Sequence, residues 1–363
     1  LTRASDARAG RRQRLRQALL ELRCDAAVIA HLPNVRYLTG FTGSNGILFL
    51  SGQQAILFTD PRYDLQAHEE CDCRVRIVRG STWEAVWKHA ARRRGALAVE
   101  AEHVSHDVWE QAAQRLGRGV KLKPLGGAVE RLRRVKSAEE ADAVRASAKL
   151  CSAAFLQAAR RFRAGMTETD AAAEIEFRMR KLGAQGAAFE TIVAAGPRAA
   201  LPHARPGVAR IEPGQPVLVD MGANLGGYMS DMTRMVHMGA PPKEFLVLYS
   251  AVLEAQQAAL GEVKAGAPAR RVDAAARRVL RAHGLDRHFT HSTGHGVGLE
   301  IHESPRLGAK SEDTLEAGMV VTVEPGVYLP GKAGVRIEDT VLVTESGAEI
   351  LTPASKELMV LES

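Results

Sequence analysis

Two β-hairpins that each carry a pair of acids constrain this chain more than any other feature. In VLVDMGANLGGYMSDMTRMV, residues 217–236, apolar residues run into Asp220, a glycine-containing break follows at 224–227, and a second β-compatible run carries Asp231. That pattern signals a hairpin. A turn centred on Leu225 and Gly226 sets Asp220 opposite Asp231 on one side of the ladder. Like charges directly opposite destabilise a sheet. Beside Val217, Leu218 and Val219 water offsets little of that cost, so a bound cation is the natural expectation.

The arrangement recurs. EPGQPVLVDMG, from Glu212, matches EAGMVVTVEPG, from Glu316, so Asp220 corresponds to Glu324. GYMSDMT, from Gly227, matches GVRIEDT, from Gly334, which pairs Asp231 with Glu338 and Thr233 with Thr340. A turn centred on Gly331 then sets Glu324 opposite Glu338. The helical runs between Gly165 and Gly183 and between Gly266 and Gly284 repeat more faintly. The second part of the chain therefore reads as two copies of one unit. Four acids converging on a pseudo-symmetric centre can hold two divalent ions roughly 3.5–4 Å apart, as two-metal hydrolytic sites do.

Histidines supply the remaining donor. FTHSTGHGVGLEIHE, from Phe289, holds His291, His295 and His302. HSTGH superficially resembles a zincin helix, but the Glu after the first His is absent, and Gly294, Gly296 and Gly298 argue for a strand or bend. His295, between two glycines, is the best imidazole ligand. His203, in LPHARP just before the first hairpin, is a further candidate.

Before residue 126 the pattern is different. Helical runs at 12–22, 83–93 and 107–116 alternate with strand-like DAAVIAHL, GILFL, AILFTD, ALAVE and VKLKPL, the signature of a small α/β domain. A basic connector, VERLRRVK, precedes a capping-box signal at Ser137 and Glu140 that starts a long helix reaching about Arg163. Another box-like signal at Thr167 and Asp170 starts the next helix. These signals set domains at 1–130 and 131–363, and 363 residues with 45% apolar content suffice for two cores. The excess of 49 Lys and Arg over 42 acids lies in short clusters such as Arg92 to Arg94, and aromatics are only 5%. These are solvated helix faces, and nucleic acid is not an expected partner. Cys71 and Cys73 form no CxxC or disulfide framework. With no apolar signal core and no membrane-length run, a cytoplasmic protein is expected.

Asp220, Asp231, His295, Glu324 and Glu338, in the contexts VDMGA, SDMTR, GHGVG, VEPG and RIED, resemble the five metal ligands of the pita-bread metallopeptidases. That family includes methionine aminopeptidase, aminopeptidase P and prolidase. NVRYLTGFTGSNG, from Asn34, and TDPRY, from Thr59, resemble the N-terminal domain of its Xaa-Pro branch. The resemblance implies an α+β protein: a C-terminal pita-bread fold with a pseudo-twofold repeat, preceded by a smaller α/β creatinase-like domain.

By the same resemblance Asp231 and Glu338 bridge two metals, Asp220 completes one, and His295 and Glu324 complete the other. Glu324 also matches the carboxylate assigned to proton transfer. His203, His291 and His302 match three histidines that bind substrate and the developing oxyanion, and Arg336 is expected to support the acidic cluster. The implied reaction is hydrolysis of the bond between an N-terminal residue and proline, in short peptides with proline second. The implied cofactor is two divalent ions, Mn(II) before Co(II) or Zn(II), and a homodimer is expected. A dipeptide-only prolidase and a broader aminopeptidase are the enzymatic alternatives. A non-catalytic binding module on the same scaffold is the alternative from another class.

Overall fold

The computed structural model describes residues 2–52 and 54–362. It divides into two compact units, 1–133 and 134–363. In the N-terminal unit six strands, β1 (Ala26–Ile29), β2 (Gly46–Ser51), β3 (Ala55–Thr59), β4 (Arg74–Ile77), β5 (Gly95–Val99) and β6 (Val120–Pro124), form one mixed sheet in the order β4-β3-β2-β1-β5-β6. The central strands β1 and β2 are buried throughout, as their unbroken apolar runs require. Phe49, Phe58 and Trp87 fill the core against the helix Thr82–Ala90. The first helix spans Thr2–Glu21, longer than the expected run.

The C-terminal unit packs helices against sheets that are antiparallel except for one parallel edge pair. Its strands are β7 (Gly186–Ala187), β8 (Ile192–Ala195), β9 (Pro216–Met221), β10 (Ala223–Leu225), β11 (Tyr228–Met229), β12 (Met232–Met238), β13 (Gly294–Gly296), β14 (Glu303–Leu307), β15 (Val320–Val323), β16 (Gly326–Leu329), β17 (Ala333–Arg336), β18 (Asp339–Val343), β19 (Ala348–Ile350) and β20 (Met359–Leu361). One sheet runs β20-β12-β9-β8, and another runs β14-β13-β15-β18-β19. Each contributes one interrupted hairpin, continued by β10 and β11 in the first and by β16 and β17 in the second.

Both expected capping boxes form, at Ser137 with Glu140 and at Thr167 with Asp170. The first helix ends at Ala159, short of Arg163, because the chain turns there to bury Phe162. The helices Ala138–Ala159 and Glu168–Lys181 in one copy match Lys243–Gly261 and Ala269–Ala282 in the other. The repeat extends to detail: the start of the second helix is tied by a bridge from Thr167 to Arg210 in the first copy and from Pro268 to Thr314 in the second.

One hairpin register differs from expectation. Asp220 pairs with Thr233, not Asp231, and the two-residue turn is Gly226 and Gly227, flanked by the Leu225–Tyr228 pair. Both turn residues have positive φ, +58° and +80°. A tight hairpin turn needs that at both central positions, and Leu225 would meet its own Cβ penalty there. The resulting slip is two residues, so the face is preserved and Asp231 remains on the same side, diagonal to Asp220. In the second hairpin Val323 pairs with Asp339 and Gly326 with Arg336, so Glu324 and Glu338 lie opposite each other as expected.

The two copies are pinned by a buried ionic node. Arg234 on β12 donates to Asp339 on β18 at 2.7 Å, and the side chains are 2% and 0% exposed. Asp339 also accepts from Gln256, Thr352 and Lys356. Arg234 caps the carbonyls of Thr233, Glu338 and Ala354. Burial alone would raise the Asp339 pKa, but Arg234 and Lys356 hold it below the ordinary carboxylate range. Asp339→Ala strands the Arg234 charge and should cost about 3–5 kcal/mol of stability, read as a lowered urea midpoint. Arg145→Gln, which breaks the solvated pairs with Asp142 and Glu349, should cost under about 1 kcal/mol.

Candidate metal centre

The two hairpins bring their acids together. Asp220 comes from β9, Asp231 from the break between β11 and β12, Glu324 from the break between β15 and β16, and Glu338 from the break between β17 and β18. Carboxylate oxygens of Asp220, Asp231 and Glu338 lie within 4.8 Å of one another. His295 Nε2 joins them, 3.6 Å from Asp231 Oδ2 and 3.5 Å from Glu324 Oε1. Asp220 stays in the ladder, paired with Thr233 and Ile192, whereas interruptions free Asp231, Glu324 and Glu338 from regular pleating and re-aim them, a known use of such irregularities beside sites.

Few donors serve this charge. Asp220 Oδ2 accepts from Arg336 at 2.6 Å, whereas Oδ1 is buried without a partner. Glu338 accepts from the Thr233 hydroxyl at 2.8 Å and Glu324 from that of Thr322 at 3.2 Å. No hydrogen bond among the described residues reaches the Asp231 carboxylate; Thr340 Oγ1 serves only its backbone. Burial first, then the charges of the neighbouring acids, raises Asp231 and Glu338 well above the carboxylate range. Glu324 is pushed up to about 7, mainly by burial.

The imidazole points to the same occupant. His295 Nδ1 lies 2.9 Å from the Gly296 carbonyl, which can only accept, so Nδ1 carries the proton and Nε2 presents a lone pair to two carboxylate oxygens. A lone pair held beside the Asp231 and Glu324 carboxylates, with Asp231 itself clustered with Asp220 and Glu338, is mutually repulsive with them. The orphaned Asp220 Oδ1 and this donor set fit divalent cations, with Asp220, Asp231, His295, Glu324 and Glu338 as the residues that can hold them. Gly294 is required at the start of β13, because a Cβ there would sit 1.9 Å from the Thr322 carbonyl oxygen. The backbone, not a ligand, is what comes close.

The remaining histidines divide. His203 and His302 are exposed and line a cleft of about 800 Å³ that contains all five acid and imidazole donors. The His302 ring packs edge-on against His295 at 4.4 Å. His291 is instead committed to the protein. Arg336 donates to the Tyr328 hydroxyl at 2.7 Å, so that hydroxyl must give its own proton to His291 Nε2 at 2.8 Å, and His291 Nδ1–H goes to the Ser292 carbonyl. Burial, then the Arg336 charge, lowers His291 to about 4, which agrees with a neutral ring. Arg336 therefore links Asp220 to Tyr328 and His291, and it also binds Thr233.

Three supporting groups were not legible in the sequence. Tyr328 follows Glu324 in VEPGVY, but only the fold shows what its hydroxyl joins. Asp273 and Arg277 lie on the helix Ala269–Ala282. Buried Asp273 accepts from the Thr293 backbone and hydroxyl, and Arg277 donates to the Phe289 and His291 carbonyls. Thr293 in turn accepts the Glu324 backbone N–H at 2.8 Å. This helix thus fixes the segment that delivers both His295 and Glu324. Helical spacing shows the i, i+4 pair, but not the carbonyls it reaches.

Comparison with known proteins is consistent across the chain. Residues 142–345 match the family model described as Metallopeptidase family M24, and residues 11–135 match the Creatinase/Prolidase N-terminal domain. An uncharacterized peptidase of Bacillus subtilis is 38% identical, covering 96% of this chain and 99% of its own. The crystal structure of an X-Pro aminopeptidase from Thermotoga maritima superposes with a TM-score of 0.88 at 38% identity, covering 93% of this chain and 98% of that one. An Xaa-Pro dipeptidase from Bacillus anthracis superposes with a TM-score of 0.93 at 36% identity, covering 98% and 100%.

The electrostatics fix the sign of a metal effect. Acids whose folded pKa is raised weaken the metal-free fold as pH rises from the ordinary carboxylate range through the folded pKa. A divalent cation should therefore raise the unfolding temperature of chelator-stripped protein, and more at pH 8 than at pH 5. At a hundred times the dissociation constant the gain is about 2.7 kcal/mol. Asp231→Asn should stabilise the stripped protein yet lose the metal-induced gain.

Proposed function

Because the chain belongs to metallopeptidase family M24, we propose that Asp220, Asp231, His295, Glu324 and Glu338 hold two divalent cations and that the enzyme hydrolyses the bond between an N-terminal residue and proline. The carrying observation is the converging set of buried carboxylates with an orphaned Asp220 Oδ1. Four carboxylates and one imidazole form an oxygen-rich donor set that suits Mn(II) over softer ions. When bound, such ions polarise the scissile carbonyl and acidify the attacking water.

The chain's own residues do the rest. Glu324 Oε2 accepts no hydrogen bond among the described residues. It can take a proton from the attacking water and return it to the departing proline nitrogen. His203 and His302, on the cleft walls, can donate to the oxygen on which charge develops. Phe189, Ile192 and Ile301 give the same cleft an apolar wall suited to a proline ring. His291, with both nitrogens engaged, serves by holding Tyr328 and Arg336 behind Asp220.

A specific observation favours dipeptides among such substrates. Arg306 lines the cleft, gives only its Nε to Ser292 Oγ, and has no acidic partner among the described residues. Arg205, by contrast, pairs with Glu190. An unpaired guanidinium in a cleft for Xaa-Pro would take the free proline carboxylate. Among the described residues no helix is long and apolar enough to cross a membrane. The family resemblance supports reading the protein as a cytoplasmic homodimer, and light scattering tests its dimeric part.

With Mn(II) added, Ala-Pro and Ala-Pro-Ala should both be cleaved, and Asp231→Asn should abolish turnover and stoichiometric metal binding together. Retained turnover in that variant would remove the proposed site. Arg306→Met should raise KM for Ala-Pro by about 10–100-fold, the range of a lost charged hydrogen bond. KM for Ala-Pro-Ala should barely move; equal losses on both would reject the carboxylate role.

A further inference from the structure

The N-terminal unit holds a pair of thiols that the peptidase reading leaves unused. Cys71 ends the helix Asp64–Glu70 and Cys73 leads into β4, so neither lies within a strand. One residue separates them, and each thiol lies close enough to shift the other's titration. Both are partly exposed, whereas Cys24 and Cys151 are buried.

Cys73 lines a pocket of about 390 Å³ together with Arg12, Arg16, Asp72 and Arg74. Asp72 neutralises Arg12 through two bonds of 2.7 and 3.0 Å. The other two cations are uncompensated. Arg16 gives only its Nε, to the Ser51 carbonyl, and exposed Arg74 has no hydrogen bond or ion pair among the described residues. Burial and the neighbouring Arg12 charge lower the Arg16 pKa, as crowded cations require. The contact with Cys71, then the Arg12 charge, draws the Cys73 thiol below its ordinary range against the effect of burial. The same contact keeps the proton on Cys71.

We propose that Cys73 is a thiol–disulfide exchange site for small anionic disulfides, with Cys71 as the resolving thiol. The pocket is far larger than a peroxide needs, and its two open guanidiniums suit the carboxylates of an acidic thiol compound. Cys73 thiolate attacks one sulfur of the small disulfide, forming a mixed disulfide and expelling one small thiolate. Cys71 then gives up its proton and attacks the Cys73 sulfur, expelling the second small thiolate. The Cys71–Cys73 bond forms, two electrons pass from the protein dithiol to the small disulfide, and the Cys71 proton ends on a released thiol. No residue of the metal centre takes part.

The test uses the reduced full-length chain and two probes of opposite charge, oxidised glutathione and cystamine, followed by intact mass and peptide mapping. Oxidised glutathione should convert Cys71 and Cys73 to a disulfide about ten-fold faster than cystamine does, the scale of electrostatic steering. Cys24 and Cys151 should remain reduced. Arg74→Gln, at an exposed position, and Arg16→Gln should each shrink that preference, and Cys71→Ser should halt the reaction at a glutathione adduct on Cys73. Failure of oxidised glutathione to react at these thiols would overturn the proposal, as would equal rates with both probes or oxidation by hydrogen peroxide alone.

Discussion

The constraint on which this structure depends is the mutual repulsion of four carboxylates held close together with little water. Among the described residues Arg336 is the guanidinium that hydrogen-bonds to these acids, and it reaches Asp220. Hydroxyls of Thr233 and Thr322 serve Glu338 and Glu324, while Asp231 has no such donor among the described residues. A protein keeps such an arrangement only if the surrounding fold over-determines it, because each acid would otherwise turn to solvent or take up a proton. Two hairpins facing each other provide that restraint. Asp220 stays within its strand, while the ladders break at Asp231, Glu324 and Glu338, so those three carboxylates leave the regular pleat.

Around this centre lies a ring of ionic and hydroxyl contacts that hold its segments from behind. The Arg234–Asp339 node ties β12 to β18, and therefore one copy of the repeat to the other. Asp273 and Arg277 grip the backbone from Phe289 to Thr293, and Thr293 holds Glu324 through its main chain. Tyr328 relays between Arg336 and His291, so a neutral histidine backs the acidic cluster without adding positive charge. Contacts of this kind hold the acid- and imidazole-bearing segments in place.

Much of the centre was legible because the duplicated motif carries its own alignment. Gly331 marks the second hairpin turn, and the expected pairing of Glu324 with Glu338 follows from it. The first hairpin was misplaced by two residues, since Leu225–Gly226 and Gly226–Gly227 look alike in a hydropathy pattern. Only the requirement for positive φ at both turn positions separates them. The face survived that slip because side chains alternate with period two, so Asp231 still lies on the side of the ladder that carries Asp220.

The sequence by itself determined which residues are acids, that they come in matched pairs on strands, and that glycines make a helix impossible around His295. These are local properties, carried by alternation, turn chemistry and internal repetition. Tertiary structure alone decided which oxygen of Asp220 is left without a donor, that His291 has spent both nitrogens, and that Arg306 faces the cleft unpaired while Arg205 does not. Those outcomes depend on hydrogen bonds between residues far apart in the chain, and no periodic pattern records where a side chain's partner will come from.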